Sequence, residues 1–371
     1  MTNGEMKDWL VDCIGLLCIP GVGRTRYRRL VTAFGSPSNA LSASVSELEQ
    51  VKGMSRTIAS AIKDEYDGPE ARALASKIIQ LGWAALRLED AEYPQSLRST
   101  HDAPPLLFRL GEATPPDEKM IAIVGTRKPS EKGRLFASKL GTTLARSGIT
   151  VVSGMAEGID SAAHNGALEG GGKTIAVLGS ALDVIYPATN KGLSERIKMQ
   201  GTIYSEYLPG TRPDRAFFPE RNRIISGLSQ GVVVIEAGKK SGALITASHA
   251  LEQGRELFAV PGSPHDNMSE GTNELIRKGA RLTTSPDDIF DELPTLRGEV
   301  AARKFIQLPD MTDNEKKLTT LFAAGPMQVD QLSRAAELPV AQLMELLLAL
   351  ELKGVVRELS GKRFVLVEEY A

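Results

Sequence analysis

Residues 120–154 read "MIAIVGTRKPSEKGRLFASKLGTTLARSGITVVSG". A short run of apolar, largely β-branched residues ends at a glycine, a stretch with helical spacing follows, and a second apolar run ends at Ser153-Gly154. Strands that are apolar on successive residues, rather than on alternate ones, suit a sheet covered on both faces. The amphipathic stretch between them supplies the crossover that a parallel pair needs. The rhythm continues outward through "KTIAVLG" at 173–179, "GTIYSE" at 201–206, "GVVVIEA" at 231–237 and "ELFAVPG" at 256–262. Helices are predicted between them near 132–147, 159–169, 191–200, 220–229 and 242–253. The fold class is therefore α/β, a Rossmann-like doubly wound parallel sheet over about 91–291, with ligands expected beyond the carboxyl ends of the strands.

Two other segments flank this one. "LLCIPGVGRTRYRRLVTAFGS" at 16–36 sets a glycine-rich turn before a basic helix, and "LEQVKGMSRTIASAI" at 48–62 is a weaker copy. Residues 1–68 are predicted to be a helix-hairpin-helix (SAM-like) helical domain, followed by a connecting helix within 69–90. Gly21, Gly23 and Arg24 are candidates for contact with a DNA backbone, because glycine allows close approach and a helix start offers amides to an anion. In the alternative, the glycines only let helices pack closely. A polar linker over 292–310 leads to 311–371, whose three helices and a hairpin around Ser360-Gly361 predict a winged helix. Its third helix, "VAQLMELLLALELKG", is leucine-rich and acidic, which favours protein contact over groove reading.

Composition narrows the function classes. The chain has 371 residues, 42% hydrophobic and 24% charged, with a net charge of −2. That suffices for a sizeable core, and the local position of charge matters more than its sum. The amino-terminal apolar segment is broken by Asp12 and Pro20, so neither a signal peptide nor a membrane span is expected, and the expected compartment is the cytoplasm. Cys13 and Cys18 match no ligand or disulfide pattern, and His101, His164, His249 and His265 form no metal motif, so no metal is expected.

The strand ends carry the chemistry. A dinucleotide site would need G-x-G-x-x-G after the first strand and an acidic residue ending the second. Instead the first strand ends in "VGTRKPSEKG", placing Arg127 and Lys128 at the turn, and no cofactor is expected. A serine hydrolase would need G-x-S-x-G and a histidine in reach of the serine. "VVSGMAEGIDSAAHNGAL" at 151–168 lacks the leading glycine, and Asp160 and His164 lie four residues apart, suited to bracing the turn. Ser153 and Gly154 remain candidates for a donor-rich phosphate turn. Further on, "GTRPDRAFFPERNRIISG" interleaves Arg212, Arg215, Arg221, Asn222 and Arg223 with Phe217 and Phe218, and Lys239, Lys240, Ser241 and Gly242 follow the next strand. Arginines hold phosphates and exposed rings stack bases, so this pattern predicts a single-strand track. Against it, one phenylalanine and one arginine are expected in the core, the arginine paired with Glu206 or Glu236.

"YPQSLR", "PPLLFRLG", "IAIVGTRKPSEKG", "VVSGMAEGIDSAAHNGAL", "TIAVLGSALDVIYPATN", "FPERNRIISG", "SGALITASHALEQGRELFAVPG" and "GTNELIRKGA" follow one another in the order of the DNA-processing protein A (DprA/Smf) family, which the chain resembles over about 93–280. The resemblance implies a bacterial cytoplasmic protein that binds single-stranded DNA (ssDNA) in natural transformation, protects it and helps load the RecA recombinase. It also implies a homodimer formed through the Rossmann-like domain, and no nucleotide chemistry. Carried onto this sequence, the DNA-contacting arginine is Arg127, the basic residue before the aromatic is Arg215, where many members have lysine, and the aromatic is Phe218. Arg221, Arg223, Ser153 and Gly154 are implied lining groups. Two other readings remain. A Rossmann-like nucleoside-monophosphate phosphoribohydrolase would need PGGxGT and a following glutamate, and no carboxylate stands between Ser241 and Ala250. A duplex-DNA regulator would act through the winged helix.

Overall fold

A computed structural model of the chain describes residues 3–296, 311–324, 327–336, 338–353, 355–359 and 363–366. The chain divides into two compact units, Met1–Arg297 and Gly298–Ala371.

The first unit is built on a nine-stranded sheet. Its strands are β1 (Ala84–Arg87), β2 (Leu106–Gly111), β3 (Met120–Val124), β4 (Thr150–Ser153), β5 (Thr174–Val177), β6 (Thr202–Ser205), β7 (Gly231–Val234), β8 (Glu256–Ala259) and β9 (Arg281–Leu282). They lie in the order β1-β2-β6-β5-β4-β3-β7-β8-β9. From β6 to β9 every neighbouring pair is parallel, while β2 joins β6, and β1 joins β2, antiparallel. The chain runs outward from β3 to β6, then crosses back to β7 on the other side of β3, so the strand order reverses between β3 and β7. Ligand sites in doubly wound sheets gather at such a reversal.

The parallel strands are buried on both faces. Ile121 and Ile123 of β3 enter one core with Val151, Val233 and the helices Glu131–Arg146 and Ile159–Glu169. Met120, Ala122 and Val124 enter the opposite core with Val152, Val177 and the helices Phe217–Leu228 and Ala243–Glu252. This alternation along one strand is the two-residue period of extended chain. Each of the six parallel strands predicted from the sequence is present. β1, at one edge, and β2 beside it are not among the predicted strands: β1 lies in the stretch read as a connecting helix, and β2 near the start of the predicted sheet domain. The proline pair Pro104-Pro105 stands just before β2, where its missing amide donors cost the ladder nothing.

Six helices precede the sheet. The core of helices Asn3–Cys18, Arg24–Phe34 and Gly68–Gln80 runs without a break into the sheet's own through Trp83, Leu106 and Phe108. The helix read as a connection thus belongs to this bundle, burying Ala71, Ala75 and Ile78. The two hairpin turns are tied together by arginines: Arg26 donates from Nε to the Gly53 carbonyl at 2.9 Å and from Nη1 to the Gly21 carbonyl at 2.7 Å, and Arg29 donates to the Lys52 carbonyl at 2.9 Å. Gly21 and Gly53 both have φ near +85°, at 84° and 86°, the left-handed region in which glycine turns tightly.

The second unit has helices Asp313–Thr320, Val329–Ala336 and Val340–Leu352 with strands β10 (Met327–Gln328), β11 (Val356–Leu359) and β12 (Arg363–Leu366), ordered β10-β12-β11. β11 and β12 pair antiparallel, as a wing does. The predicted turn at Ser360-Gly361, and 297–310 of the predicted linker, lie outside the described residues. Leu332, Leu343, Leu347, Leu350 and Phe364 fill the core. Thr312 and Glu315 form a capping box, and Lys353 reaches Glu315 at 2.8 Å.

Candidate nucleic-acid interface

At the carboxyl edge of the sheet the ends of β3, β4 and β5 surround a small pocket lined by Arg127, Gly154, Ala156, Glu157, Gly179, Tyr186, Pro187, Phe218 and Arg221. Its volume, about 90 Å³, is far below the roughly 300 Å³ at which pockets begin to enclose a small organic ligand, so it is a surface notch rather than a cofactor chamber. The Arg127 guanidinium carbon lies over the Phe218 ring at 5.1 Å, and the Tyr186 ring lies beside Phe218 at 5.6 Å with 34° between planes. Arg127 is exposed, and so is 43% of Tyr186. A cation laid over a ring beside a second ring presents charge and a stacking face together.

The turns that carry these groups are held close by missing side chains. A Cβ on Gly158 would lie 2.4 Å from the Thr126 carbonyl oxygen and 2.7 Å from the Arg127 carbonyl, and Gly158 has φ +86°, so only glycine lets the turn after β4 pack against the turn after β3. A Cβ on Gly154 would meet the Arg221 guanidinium at 2.6 Å. Phe218 itself packs against Gly179, where a Cβ would lie 2.8 Å from Cδ1.

Two backbone positions that could hold a phosphate are filled by the protein's own carboxylates. Asp160 Oδ2 accepts from the Gly154 amide at 3.1 Å and from the Ala156 amide at 3.4 Å. Burial pushes the Asp160 carboxyl above the usual range, and the Arg221 guanidinium and these amides pull it back. At the first crossover helix, where a dinucleotide's pyrophosphate would sit, Glu236 Oε2 accepts from the Ser130 amide at 2.8 Å and Glu236 Oε1 from Ser130 Oγ. Gly133 leaves room for it, since a Cβ there would lie 2.4 Å from Oε1.

A family model described as DNA recombination-mediator protein A matches residues 84–294, a DprA winged helix domain matches 307–362, and a SAM-like helix-hairpin-helix tandem matches 14–66. The protein Smf of Synechocystis sp. is 33% identical over 98% of this chain and 99% of its own length. The chain belongs to the DNA recombination-mediator protein A family. The DNA processing protein DprA of Bacillus subtilis is 40% identical over 64% of this chain and 80% of its own. Among solved structures, DNA processing protein A from Streptococcus pneumoniae shares 36% identity and superposes with TM-score 0.66, covering 79% of this chain and 98% of that one. The Helicobacter pylori protein, described for its unique single-stranded DNA binding mode, shares 32% identity at TM-score 0.51, covering 57% of this chain and 96% of that one. The family model begins at the first residue of β1, so β1 and β2 belong to the region that defines the family.

The expected site residues divide by exposure. Arg127, Lys128 and Arg215 are exposed, with no ion pair among the described residues, and Phe218 is half-buried at the start of its helix. Lys240 is exposed after β7 and does not line the pocket; the neighbouring Gly242 carbonyl accepts from Asn222 Nδ2 at 3.4 Å, and Ser241 Oγ accepts from the Ala243 amide at 3.3 Å. Ser153 and Arg223 need correction as lining groups, while Gly154 and Arg221 line the pocket only from beneath, with their polar groups engaged within the protein. Ser153 is fully buried, and its Oγ donates to the Ile123 carbonyl at 2.6 Å, tying β4 to β3. Gly154 is buried at the pocket floor, with its amide on Asp160 and its carbonyl on Arg221, so the donor-rich turn is internally satisfied. Arg221 is buried under the pocket, donating to the Gly154 carbonyl at 2.7 Å and to the Val177 carbonyl; burial lowers its guanidinium to about 10, with Asp160 opposing the shift. Arg223, 1% exposed, is paired with Glu206 and donates to the Asp102 carbonyl at 2.6 Å. Phe217 packs against Tyr207 at 4.5 Å.

His164 does not approach Ser153 Oγ. Its Nδ1 donates to Thr174 Oγ1 at 2.7 Å, because that hydroxyl spends its own proton on the Val151 carbonyl. Burial, with Arg221 nearby, drives the imidazole down to about 3, so it is neutral at physiological pH.

At the first hairpin, Gly23 and Arg24 open into a groove whose far wall includes Glu206 and Glu220, while Arg26 and Arg29 are engaged by the second hairpin. Gly21 fits the close-packing reading, since a Cβ there would lie 3.3 Å from Ile58 Cγ1, whereas a Cβ on Gly23 would meet nothing within 4 Å. Tyr186, which lines the pocket, was not singled out from the sequence, and Glu157 stood out there only as one of the polar residues of 151–168 that invite, without a partner, a catalytic reading. The one signal for Tyr186 was its place in a loop following a strand end, beside a proline.

Proposed function

We propose that the chain holds single-stranded DNA across the carboxyl edge of its parallel sheet, through Arg127, Lys128 and Arg215 on phosphates and Phe218 on a base, with Lys240 further along the edge. The observation that carries this reading is the exposed Arg127 guanidinium over the Phe218 ring, at an edge whose enclosed anion positions are taken by Asp160 and Glu236. Such an edge suits a polymer lying on it better than a nucleotide seated in it. The relatives named as DNA processing proteins, and the Helicobacter pylori protein's described single-stranded DNA binding mode, support the same choice.

On this reading the protein acts in the cytoplasm during natural transformation, shields the incoming strand, helps load the RecA recombinase on it, and performs no chemistry. The buried neutral His164, the committed Ser153 hydroxyl and the lack of a carboxylate between Ser241 and Ala250 all support a binding role over a phosphoribohydrolase. Release of free base from a nucleoside monophosphate would overturn it. Homodimerisation through the sheet domain is part of the proposal. A monomer in sedimentation at micromolar concentration counts against it.

The decisive experiment is a fluorescence-anisotropy titration of single-stranded and duplex DNA across a salt series. Tighter binding to single strands, weakening steeply with salt, is expected. Tighter binding to duplex would favour a winged-helix regulator instead. Against that regulator, the exposed side chains of Val340–Leu352 include Val340, Met344, Glu345, Leu348 and Glu351, and that helix holds neither lysine nor arginine.

A further inference from the structure

Glu157 is the only carboxylate among the side chains that line the Arg127–Phe218 pocket. A site for phosphates alone has no use for it, since a carboxylate repels them. It is nonetheless held in place. Its Oε1 accepts from Thr189 Oγ1 at 3.0 Å, and its Oε2 has no partner among the described residues. The segment that carries Tyr186, Pro187 and Thr189 is fastened to the turn that carries Glu157 by Asn190, whose Nδ2 donates to the Met155 carbonyl and to Ser161 Oγ, both at 2.8 Å. The Tyr186 ring and the carboxylate are therefore parts of one fixed wall rather than separate loops, with the Phe218 ring beside it.

We infer that Glu157 reads the edge of a base laid across the mouth of this notch, and makes guanine the preferred base there and thymine the least preferred. The inference rests on the single-strand reading above. On this inference a base laid against the Tyr186 and Phe218 rings turns its Watson–Crick edge to Glu157, one of the two edges on which single-stranded bases are read. A carboxylate only accepts. Guanine offers it N1–H and N2–H side by side, cytosine and adenine each offer one amino group, and thymine offers N3–H flanked by two carbonyl oxygens that the carboxylate repels. The selectivity applies to one nucleotide in a track whose other contacts, cations on phosphates and rings on bases, tolerate any sequence.

The test uses the full chain and three fluorescent oligonucleotides of equal length at one salt concentration: all thymine, thymine with isolated guanines, and the same with hypoxanthine, which lacks the N2 amino group, in place of guanine. The guanine strand is expected to bind about fivefold or more tighter than the thymine strand, with hypoxanthine between them. Glu157→Gln keeps the hydrogen bond from Thr189, removes the charge and adds a donor. It should bring the guanine-to-thymine ratio to within about twofold while binding the thymine strand no more weakly than the unaltered chain. Equal affinities of the unaltered chain for guanine and thymine strands would overturn the inference and leave the track standing, and so would an unchanged ratio in the Gln variant. Absence of binding to any of the three strands would overturn the single-strand reading itself, and this inference with it.

Discussion

Arg221 and Arg223 stand two residues apart in the helix Phe217–Leu228, while Arg127 and Arg215 stand in turns at the sheet edge, and the two pairs have opposite fates. The helical pair is buried and spends its donors on the carbonyls of Gly154, Val177 and Asp102 and on Glu206. The turn pair is exposed and has no ion pair among the described residues. A buried guanidinium serves as a rivet, because removing it leaves polar partners in a medium that cannot solvate them. An exposed one is free to exchange counterions for a polyanion. The edge thus separates holding the fold from holding a ligand, although both use arginine.

The sharpest way to break that separation is Arg223→Ala. It would leave the Glu206 carboxylate buried without its main partner, and the expected loss is about 3–5 kcal/mol of stability. Thermal unfolding measures it. Burial already raises Glu206, and Arg223 is the largest influence opposing the rise, so the variant should recover stability as pH falls and the carboxyl takes up a proton. Unchanged unfolding would mean that Arg223 is no rivet.

Acid should expose the second buried contributor. His164 is held near 3 in the folded chain against an ordinary 6.5, so its contribution is present above about pH 6.5 and is lost as pH falls toward 3. By about pH 4 this amounts to roughly 3 kcal/mol. Asp160 and Glu206, raised by burial, act with the opposite sign, since the folded state binds their protons first. His164→Asn keeps a donor for Thr174 and removes the titration. Its urea midpoint should therefore fall less between about pH 7 and pH 4 than that of the unaltered chain, and an equal fall would remove His164 from the acid transition.

How much of this could be read from the sequence depended on whether a residue's neighbours were local. The six parallel strands were legible because a strand buried on both faces is a continuous apolar run, and β1 and β2 were not, because "AALR" and the end of "LLFRLG" are only partly buried and each carries an arginine. The glycines of the turn after β4 were legible as points of close approach but not as to what approaches. A phosphate and the Arg221 guanidinium both require a missing side chain at Gly154, and only the fold distinguishes them. Arg127 was identifiable from its place after a strand. Arg221 and Arg223 could not be told from it by residue type, although Ile224 and Ile225 beside them hinted at a buried helix. Glu157 and Tyr186 lie 29 residues apart, and are brought together through Thr189 and Asn190, so no local pattern could join them.

On the exposed side the effects are smaller and different in kind. Phe218→Ala should cost about 1–3 kcal/mol of single-strand affinity by removing a stacking face, with the salt dependence unchanged, because the ring carries no charge. A reduced salt slope in that variant would mean that the ring only positions Arg127.

The smallest expected effect is also the most diagnostic. Arg127→Ala should leave the unfolding temperature unchanged, since its side chain is exposed and meets the protein only across the Phe218 ring. It should weaken binding of every strand by about the same factor, roughly fourfold near physiological salt, and flatten the slope of log affinity against log salt by ~0.7, the value for one phosphate contact on a single strand. The slope separates the two kinds of arginine. Replacing a rivet changes affinity only by lowering the folded fraction, which leaves the slope of the molecules still folded as it was. Losing a phosphate contact changes the slope at full stability. An Arg127→Ala protein with unaltered affinity and slope would remove that side chain from the track and leave Lys128 and Arg215 to carry the charge at this edge.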